Sequence, residues 1–470
     1  MYRKEYTETI FRTGSHTSRK SSVKQHEMAA LREMEQMILA AEAVPAGAEA
    51  LERATAHLEQ FLQQVRQKRI LDEKQRAMEA FRQQFENGYT WRNGFLRNVA
   101  RFGDREALIE PESGTVWTYT QLNAEANRLS HALLRAGLQK GDVVMVQLHN
   151  CPEFVFAYLA CHKTGMVFCP VNFRLSAKEI TDCMDNSRPK VFLLEPETQA
   201  EVDMALRRTA HAPQILLTTD ARAAHAYADF TADCPATEPE LPWELSVYDE
   251  TLRLFTSGTT GRQKSVCLTS INEVLSAHDV MIHFPFSFTD RSMNTTPWFH
   301  RGGLHSGGIT PTLYAGGTVI IQRKFQPEKT LDMVQQYGLT FLIGVPNVLE
   351  LLAEAQQKQP RDLSSLRGIV TMGSPLERAD CIRYQKILTK RIFNGYGTTE
   401  TFWNTFLRPD DLPEMAGSAG RSCVDDDVRV IKVYEDRVAE PDDLAATDGS
   451  EVGEVIIRSN AKSAAFYFGN

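Results

Sequence analysis

The 470-residue sequence lacks the features that mark several large classes of protein. It has no apolar run near the roughly 20 residues that a membrane-spanning helix needs, so we predict no transmembrane segment. It lacks an excess of basic residues, because its formal net charge is −8, and a nucleic-acid partner is therefore not expected. Residues 1–20 are basic and rich in Ser and Thr, but they lack the apolar stretch of a secretory signal.

Clusters of cysteine are also missing. The eight cysteines are scattered, and they form no C-x-x-C pair and no group with histidine at metal-ligand spacing. This pattern predicts reduced thiols, a cytoplasmic location and no zinc site.

Aromatic residues are sparse in the first 88 positions, where Ala, Gln, Glu and Arg dominate. Apolar residues recur there in steps of three and four, which predicts an amphipathic helix, at Leu51, Ala54, Leu58, Phe61 and Val65. A similar pattern precedes an interruption at residues 44–47, with Leu31, Met34 and Ile38. We therefore predict a helical extension over residues 1–88, either a hairpin or a short coiled coil. It either packs on the main domain, contacts a partner or allows self-association through residues 24–86.

From residue 89 the chain alternates apolar strand-like runs with amphipathic helix-like runs. This rhythm predicts an α/β domain over residues 89–470, with layered and mostly parallel sheets covered by helices. Residues 196–248 are polar and poorly periodic, and within them we interpret DCPATEPELPWEL, residues 233–245, as a surface connection. After Arg421 short alternating strands predict a small β-barrel or antiparallel subdomain.

The stretch TSGTTGRQKS, residues 256–265, places hydroxyls, glycines and a lysine in one short turn. Glycines can take positive φ and let successive N–H groups curl around an anion, while hydroxyls and a lysine add donors. The residues that would form this anion site are Thr256, Ser257, Gly258, Thr259, Thr260, Gly261 and Lys264. A helix-like run follows, and we expect its positive N-terminal end to face the same ligand. The alternative is a solvated Gly/Ser/Thr loop.

This stretch resembles the phosphate loop of the adenylate-forming superfamily, which includes acyl-CoA synthetases, peptide-synthetase adenylation domains and luciferases. The family form is roughly [ST]-S-G-[ST]-T-G-x-P-K-G. Residues 256–261 and Lys264 match it, whereas Gln263 and Ser265 stand where proline and glycine are usual. The resemblance implies that the loop holds the β- and γ-phosphates of ATP.

A second segment, NTTPWFHRGGLHSGG at residues 294–308, resembles the P-x-F-H-x-x-G segment of the same family. The resemblance places His300 beside the carboxylate substrate and implies a plain carboxylic acid, because relatives that activate amino acids carry aspartate there. Gly302, Gly303 and Ser306 would leave room in the acyl pocket. A third segment, VTMGSPL, resembles the G-G-x-P-L turn and would place Gly373 and Ser374 beside adenine and the acyl group.

The fourth segment, NGYGTTET at residues 394–401, resembles the family's Y-G-x-T-E. The resemblance implies that Tyr396 packs on adenosine, that Thr399 contacts the α-phosphate and that Glu400 holds Mg²⁺. Gly397 and Thr398 would belong to the same nucleotide-binding turn. A carboxylate suits this role independently, since Mg²⁺ bridging phosphates takes one or two carboxylates and keeps its waters.

Together the four segments imply an acyl-CoA ligase with Lys264, His300, Thr399 and Glu400 as catalytic residues. A small carboxylic acid, of fatty or aromatic type, would react with ATP to give acyl-AMP and pyrophosphate, and the acyl group would pass to coenzyme A. The alternatives are an acyl-AMP ligase that loads a carrier protein and a non-enzymatic nucleotide-binding module. The family's ribose-binding aspartate and C-terminal lid domain fall beyond residue 470, so we expect this chain to lack the lid and full activity.

Overall fold

The computed structural model describes residues 47–257, 263–460, 462–464 and 467–468. The chain divides into two compact units, Met1–Gln83 and Gln84–Asn470. The described residues do not include Leu31, Met34 and Ile38. Of the interruption at residues 44–47, they include only Gly47. Self-association through residues 24–86 stays a prediction.

The helix predicted from the apolar spacing before Gly88 is confirmed as α1, Gly47–Gly88, which is 42 residues long. It carries exposed apolar side chains, with Met78 exposed to 72% and Phe81 to 71%. Its last turn belongs to the second unit. There the Glu86 carbonyl accepts the N–H of Val247 at 2.7 Å.

The second unit contains the remaining described α-helices. In chain order these are α2 (Trp91–Phe102), α3 (Tyr119–Arg135), α4 (Pro152–Thr164), α5 (Ala177–Ser187), α6 (Gln199–Leu206), α7 (Tyr227–Thr231), α8 (Ser270–His283), α9 (Arg301–His305), α10 (Ile309–Ala315), α11 (Pro327–Tyr337), α12 (Pro346–Lys358) and α13 (Arg378–Ile387). Capping hydrogen bonds and proline determine where several of these helices begin. The Thr118 side chain and Gln121 form a capping box at α3, and proline occupies the first turn of α4. None of the described helices has both the length and the apolar character needed to span a bilayer.

The described strands belong to the same unit. They are β1 (Glu106–Glu110), β2 (Thr115–Thr118), β3 (Val143–Gln147), β4 (Val167–Pro170), β5 (Val191–Leu194), β6 (Ile215–Thr218), β7 (Glu250–Ser257), β8 (Gln263–Thr269), β9 (Arg291–Asn294), β10 (Thr318–Ile320), β11 (Phe341–Gly344), β12 (Gly368–Met372), β13 (Ile392–Thr398), β14 (Phe402–Leu407), β15 (Arg421–Ser422), β16 (Asp426–Ile431), β17 (Glu454–Ser459) and β18 (Tyr467–Phe468).

These strands form two large sheets and one ribbon. One sheet has the order β18-β8-β7-β4-β3-β5-β6, with parallel pairing from β7 to β6. The other has the order β15-β14-β13-β12-β11-β9-β10-β1-β2 and is parallel from β13 to β1. Helices pack against both sheets, and central strands such as β3 and β5 are buried along their whole length. The predicted α/β class with mostly parallel, helix-covered sheets is confirmed.

The region between β5 and β7 contains short regular elements. Residues 196–231 contain α6, the edge strand β6 and α7, whereas residues 233–245, the expected connection, form no helix or strand. The short run ILLT forms β6 and pairs with β5. Four residues alone do not make a stable strand, and pairing in the sheet supplies the stability that they lack. After Arg421, β16 and β17 form a two-stranded antiparallel ribbon. A barrel in this region and the lack of a lid stay predictions.

Candidate functional site

Strands β7 and β8 form an antiparallel hairpin around the predicted phosphate loop. Thr256 pairs with Lys264, and Ser257 pairs with Gln263. Directly opposed residues of an antiparallel pair have their side chains on the same face of the sheet. The hairpin therefore brings Thr256 and Lys264 side by side at the base of the loop. The loop itself lies outside the described residues, and so do Gly258, Thr259, Thr260 and Gly261.

The helix expected after this loop is present as α8, but it does not adjoin the loop. The seven residues of β8 come first, and α8 begins at Ser270. Seven strand residues span roughly 23 Å, so the N-terminus of α8 lies at the far end of the hairpin. The prediction that its positive end faces the loop is wrong. Residues 265–268 of β8 are all buried.

A second hairpin, β13–β14, carries the predicted Y-G-T-T-E residues. Tyr396 and Thr398 lie at the end of β13, next to the turn. Thr399 and Glu400 lie in the turn itself. The Tyr396 side chain is 39% exposed, whereas Glu400 is half-buried. The hairpin therefore presents a ring and a carboxylate at the same edge of the sheet.

Gly397 lets the two strands of this hairpin approach closely. A Cβ at Gly397 would lie 1.5 Å from the carbonyl oxygen of Phe402, and the strand register shifts between Tyr396 and Gly397. Phe402 has a φ of 63°, which residues with a Cβ rarely adopt. The Thr398 hydroxyl accepts the N–H of Thr401 at 3.3 Å. The glycine of this motif is therefore required by the turn geometry.

His300 stands immediately before the short helix α9, in the segment that follows β9. Its ring centroid lies 4.0 Å from that of Phe299. The residue is exposed, yet neighbouring atoms partly desolvate the imidazole, and this burial lowers the pKa of His300 below its ordinary value of 6.5. The ring is therefore largely neutral at pH 7.

The small residues expected in the acyl pocket have different surroundings. A Cβ at Gly302 would lie 2.7 Å from Sδ of Met372, which is the end of a flexible side chain. A Cβ at Gly303 would lie 2.1 Å from the carbonyl oxygen of Pro297, which is backbone. Ser306 is fully buried. Gly303 is thus required by backbone packing, and its part in an acyl pocket stays a prediction.

Two asparagines that the sequence reasoning missed hold this segment in place. Asn294, the last residue of β9, donates from Nδ2 to the carbonyl oxygens of Gly302 and Gly303 at 3.0 and 3.1 Å. Asn150 accepts the N–H of Trp298 on Oδ1 at 2.9 Å. Both side chains are buried, and buried polar groups are normally paired in this way.

The third predicted segment follows β12. Gly373 has a φ of 83°, and both it and Ser374 are exposed. Since β9, β11, β12 and β13 are parallel neighbours, the segments after β9 and β12 and the end of β13 share one carboxyl edge of the sheet. Ligands of open α/β sheets bind at such an edge.

Arg301, also missed from the sequence, links two of these segments directly. It is 2% exposed, and its Nη1 donates to the Thr399 carbonyl oxygen at 2.6 Å. Its Nη2 donates to the Lys462 carbonyl oxygen at 2.6 Å. The structure therefore brings together the segment of His300 and the turn of Glu400.

A match to a family model identifies the family of the chain. Residues 95–467 match the family model described as AMP-binding enzyme. The chain belongs to the AMP-binding enzymes. The predicted resemblance is confirmed.

This AMP-binding enzyme has curated relatives of moderate identity. It is 30% identical over 364 residues to indoleacetate–CoA ligase of Aromatoleum aromaticum, a match that covers 76% of this chain and 69% of that protein. It is 33% identical over 335 residues to feruloyl-CoA synthase of an Amycolatopsis species, covering 69% of this chain and 64% of that protein. The chain thus spans about two thirds of the length of these relatives.

Among solved structures, the inhibitor-bound N-terminal domain of FACL13 from Mycobacterium tuberculosis has a TM-score of 0.71 and 25% identity. The match covers 81% of this chain and 91% of that chain. These comparisons agree with the fold and with the class predicted from the four segments, an AMP-forming acid–thiol ligase.

The residues at the site fit the substrates that AMP-binding CoA ligases use, namely ATP with Mg²⁺ and coenzyme A. Glu400 offers hard carboxylate oxygens in a partly exposed turn, which is the kind of ligand Mg²⁺ takes. The exposed Tyr396 ring offers a face for adenine, and Lys264 offers a positive charge at the loop base.

Proposed function

We propose that this chain activates an apolar carboxylic acid with ATP, giving acyl-AMP and pyrophosphate, and that the acyl group then passes to coenzyme A. The observation that carries the proposal is the contact between the His300 segment and the Glu400 turn, made by Arg301 and the Thr399 carbonyl oxygen at 2.6 Å. This contact supports an acid site and a nucleotide site that lie next to each other.

In the first half-reaction a carboxylate oxygen of the acid attacks the α-phosphorus of ATP. The bond from that phosphorus to the oxygen bridging to the β-phosphate breaks, and pyrophosphate leaves with the electron pair. Such a step needs charge neutralisation and in-line positioning more than covalent help. Lys264 supplies positive charge at the β7–β8 hairpin, the neutral His300 orients the acid, and Thr399 contacts the α-phosphate. Mg²⁺, held by Glu400, would neutralise phosphate charge.

In the second half-reaction the sulfur of coenzyme A attacks the acyl carbonyl carbon. The bond from that carbon to the phosphate oxygen of AMP breaks, AMP leaves with the electron pair, and the thiol proton is released to water. Rings beside His300 support an apolar acid. Phe299 contacts Phe173 at 5.6 Å between centroids, and Phe173 stacks on His149 at 3.9 Å.

The proposal is tested by calorimetric titration of the chain with ATP in the presence and absence of Mg²⁺. We expect Glu400→Gln to weaken MgATP binding about tenfold or more, because a neutral amide is a poor Mg²⁺ ligand, and to leave Mg²⁺-free binding nearly unchanged. The matched control is Glu435→Gln, which makes the same charge change at an exposed position. Equal Mg²⁺ dependence in Glu400→Gln and the parent would contradict the assignment.

Activity is tested by pyrophosphate release with indole-3-acetate, ferulate and a long-chain fatty acid, each with and without coenzyme A. Acid-dependent pyrophosphate release with thioester formation supports the ligase. Release without transfer to coenzyme A favours a carrier protein as the acceptor. MgATP binding without any release, also in a longer chain that carries a lid domain, would favour a nucleotide-binding module.

A further inference from the structure

Arg301 is buried between two segments that bind different reactants under the proposed function. It directly follows His300 in the chain, and its guanidinium crosses to the Glu400 turn, defined as residues 399–401. One terminal nitrogen donates to the Thr399 carbonyl oxygen at 2.6 Å, and the other donates to the Lys462 carbonyl oxygen at 2.6 Å. One side chain therefore fixes two backbone segments at once.

The Glu400 turn is also held from the side of residues 462–464. The N–H of Ala464 donates to the Glu400 carbonyl oxygen at 2.8 Å. Lys462 is itself anchored, because its Nζ donates to the Trp403 carbonyl oxygen at 2.6 Å and to Asp426 at 2.8 Å. The backbone on both sides of the Glu400 side chain is thus fixed by donors from other segments.

The chemistry of arginine suits this position. The guanidinium is planar, and its N–H groups diverge, so two carbonyls in different directions can be bonded at once. Burial lowers the pKa of Arg301 to about 10, although the charges of Glu273 and Glu400 oppose the shift. The side chain is therefore still protonated at neutral pH and keeps its donors.

We propose that Arg301 is a positioning residue that fixes the backbone of Thr399, so that Glu400 meets the nucleotide-bound Mg²⁺ in register with the acid beside His300. This role rests on the proposed function. Arg301 itself contacts protein carbonyls rather than the reacting atoms, so its effect is transmitted through the turn.

The test compares Arg301→Lys and Arg301→Met with the parent by calorimetry, using MgATP and adenosine as separate probes. We expect Arg301→Met to weaken MgATP binding about tenfold or more, because the turn loses a charge-assisted bond, and to leave adenosine binding within about twofold. Arg301→Lys, which can bond one of the two carbonyls, is expected to lie between Arg301→Met and the parent. The matched control is Arg361→Met, since Arg361 also donates to a backbone carbonyl at 2.6 Å but lies on α12–β12 connecting residues.

The outcomes are distinguishable. Unchanged MgATP binding in a folded Arg301→Met would overturn the positioning role and leave the proposed function standing. Equal losses for MgATP and adenosine, or no rescue by lysine, would show that Arg301 only stabilises the fold, and this too would overturn it. If the parent chain fails to bind MgATP, the proposed function and the role of Arg301 are both refuted.

Discussion

Gly302 and Gly303 are adjacent in sequence, but they differ in what a methyl group would meet. At Gly302 it would meet the flexible end of Met372, which can move, whereas at Gly303 it would meet the backbone of Pro297, which cannot. We expect Gly302→Ala to cost less than about 1 kcal/mol of unfolding free energy and Gly303→Ala about 1–3 kcal/mol or more. Chemical denaturation measures both values.

The control for this pair is Gly88→Ala, because no atom lies within 4 Å of a Cβ at Gly88. It is expected to leave the unfolding free energy unchanged or to raise it by up to about 1 kcal/mol, since alanine is the better helix former. Similar losses in Gly302→Ala and Gly303→Ala would show that the backbone contact does not decide the cost.

At the scale of single residues, the family motifs identify the predicted site residues. They do not identify the residues that hold those site residues in place. His300, Tyr396, Thr399 and Glu400 are recognisable because they stand in quoted motifs. Arg301 could not be identified, since its function depends on a carbonyl 98 positions away in the sequence. Such a partner is created only by the packing of β9 and β13 in one sheet.

At the scale of elements, a buried carboxylate joins three helices around the site. Glu273 of α8 is fully buried and bonds Nε2 of His305 in α9 and the hydroxyl of Tyr158 in α4, each at 2.6 Å. Burial alone would raise the pKa of Glu273, but His305 and His162 stabilise the charged form and hold the pKa well below its ordinary value of 4.5.

This arrangement predicts a pH-dependent stability. Because the folded-state pKa of Glu273 lies below the unfolded-state value, its contribution is complete above about pH 4.5 and is lost as the pH falls below it. We expect Glu273→Gln to cost about 3–5 kcal/mol of unfolding free energy at neutral pH. The variant should also lose less stability than the parent between about pH 5 and pH 3. Denaturant titrations across this range measure both effects, with Glu435→Gln as the control; parallel pH profiles would contradict the prediction.

Long apolar runs made most elements predictable. The strand run VVMVQ and the helix run PEFVFAYLACHKT both occur at the expected places, as β3 and α4. The errors fall where local pattern is weak. The sequence pattern does not identify β8 or β6, because a short strand is defined by its partner strand more than by its own residues.

At the scale of the whole molecule, the last turn of α1, which lies in the second unit, decides where the chain can be shortened. Asn87 donates to Glu244 at 2.8 Å, and Glu86 accepts the N–H of Val247. We expect deletion of residues 1–83 to leave MgATP affinity within about twofold, since no motif residue is removed. Deletion of residues 1–88 should in addition lower the unfolding free energy by about 1–3 kcal/mol, through the loss of these two bonds.

Calorimetry and denaturation of the two shortened chains, with sedimentation to report self-association, test this prediction. Equal stability of both forms would show that the last turn of α1 contributes nothing to the second unit. A loss of MgATP affinity in the folded 84–470 chain would show that the N-terminal unit takes part in nucleotide binding.

The burial of the cysteines is expected to protect the folded protein from alkylating reagents. All eight thiols are buried, and burial raises the pKa of seven of them, which are Cys151, Cys161, Cys169, Cys183, Cys267, Cys381 and Cys423. A maleimide reacts with the thiolate, so these side chains stay unlabelled while the chain is folded. A cysteine placed at the exposed Ser374 would therefore take up a fluorescent dye selectively. The native cysteines therefore need not be removed before nucleotide binding is followed with a single fluorescent dye.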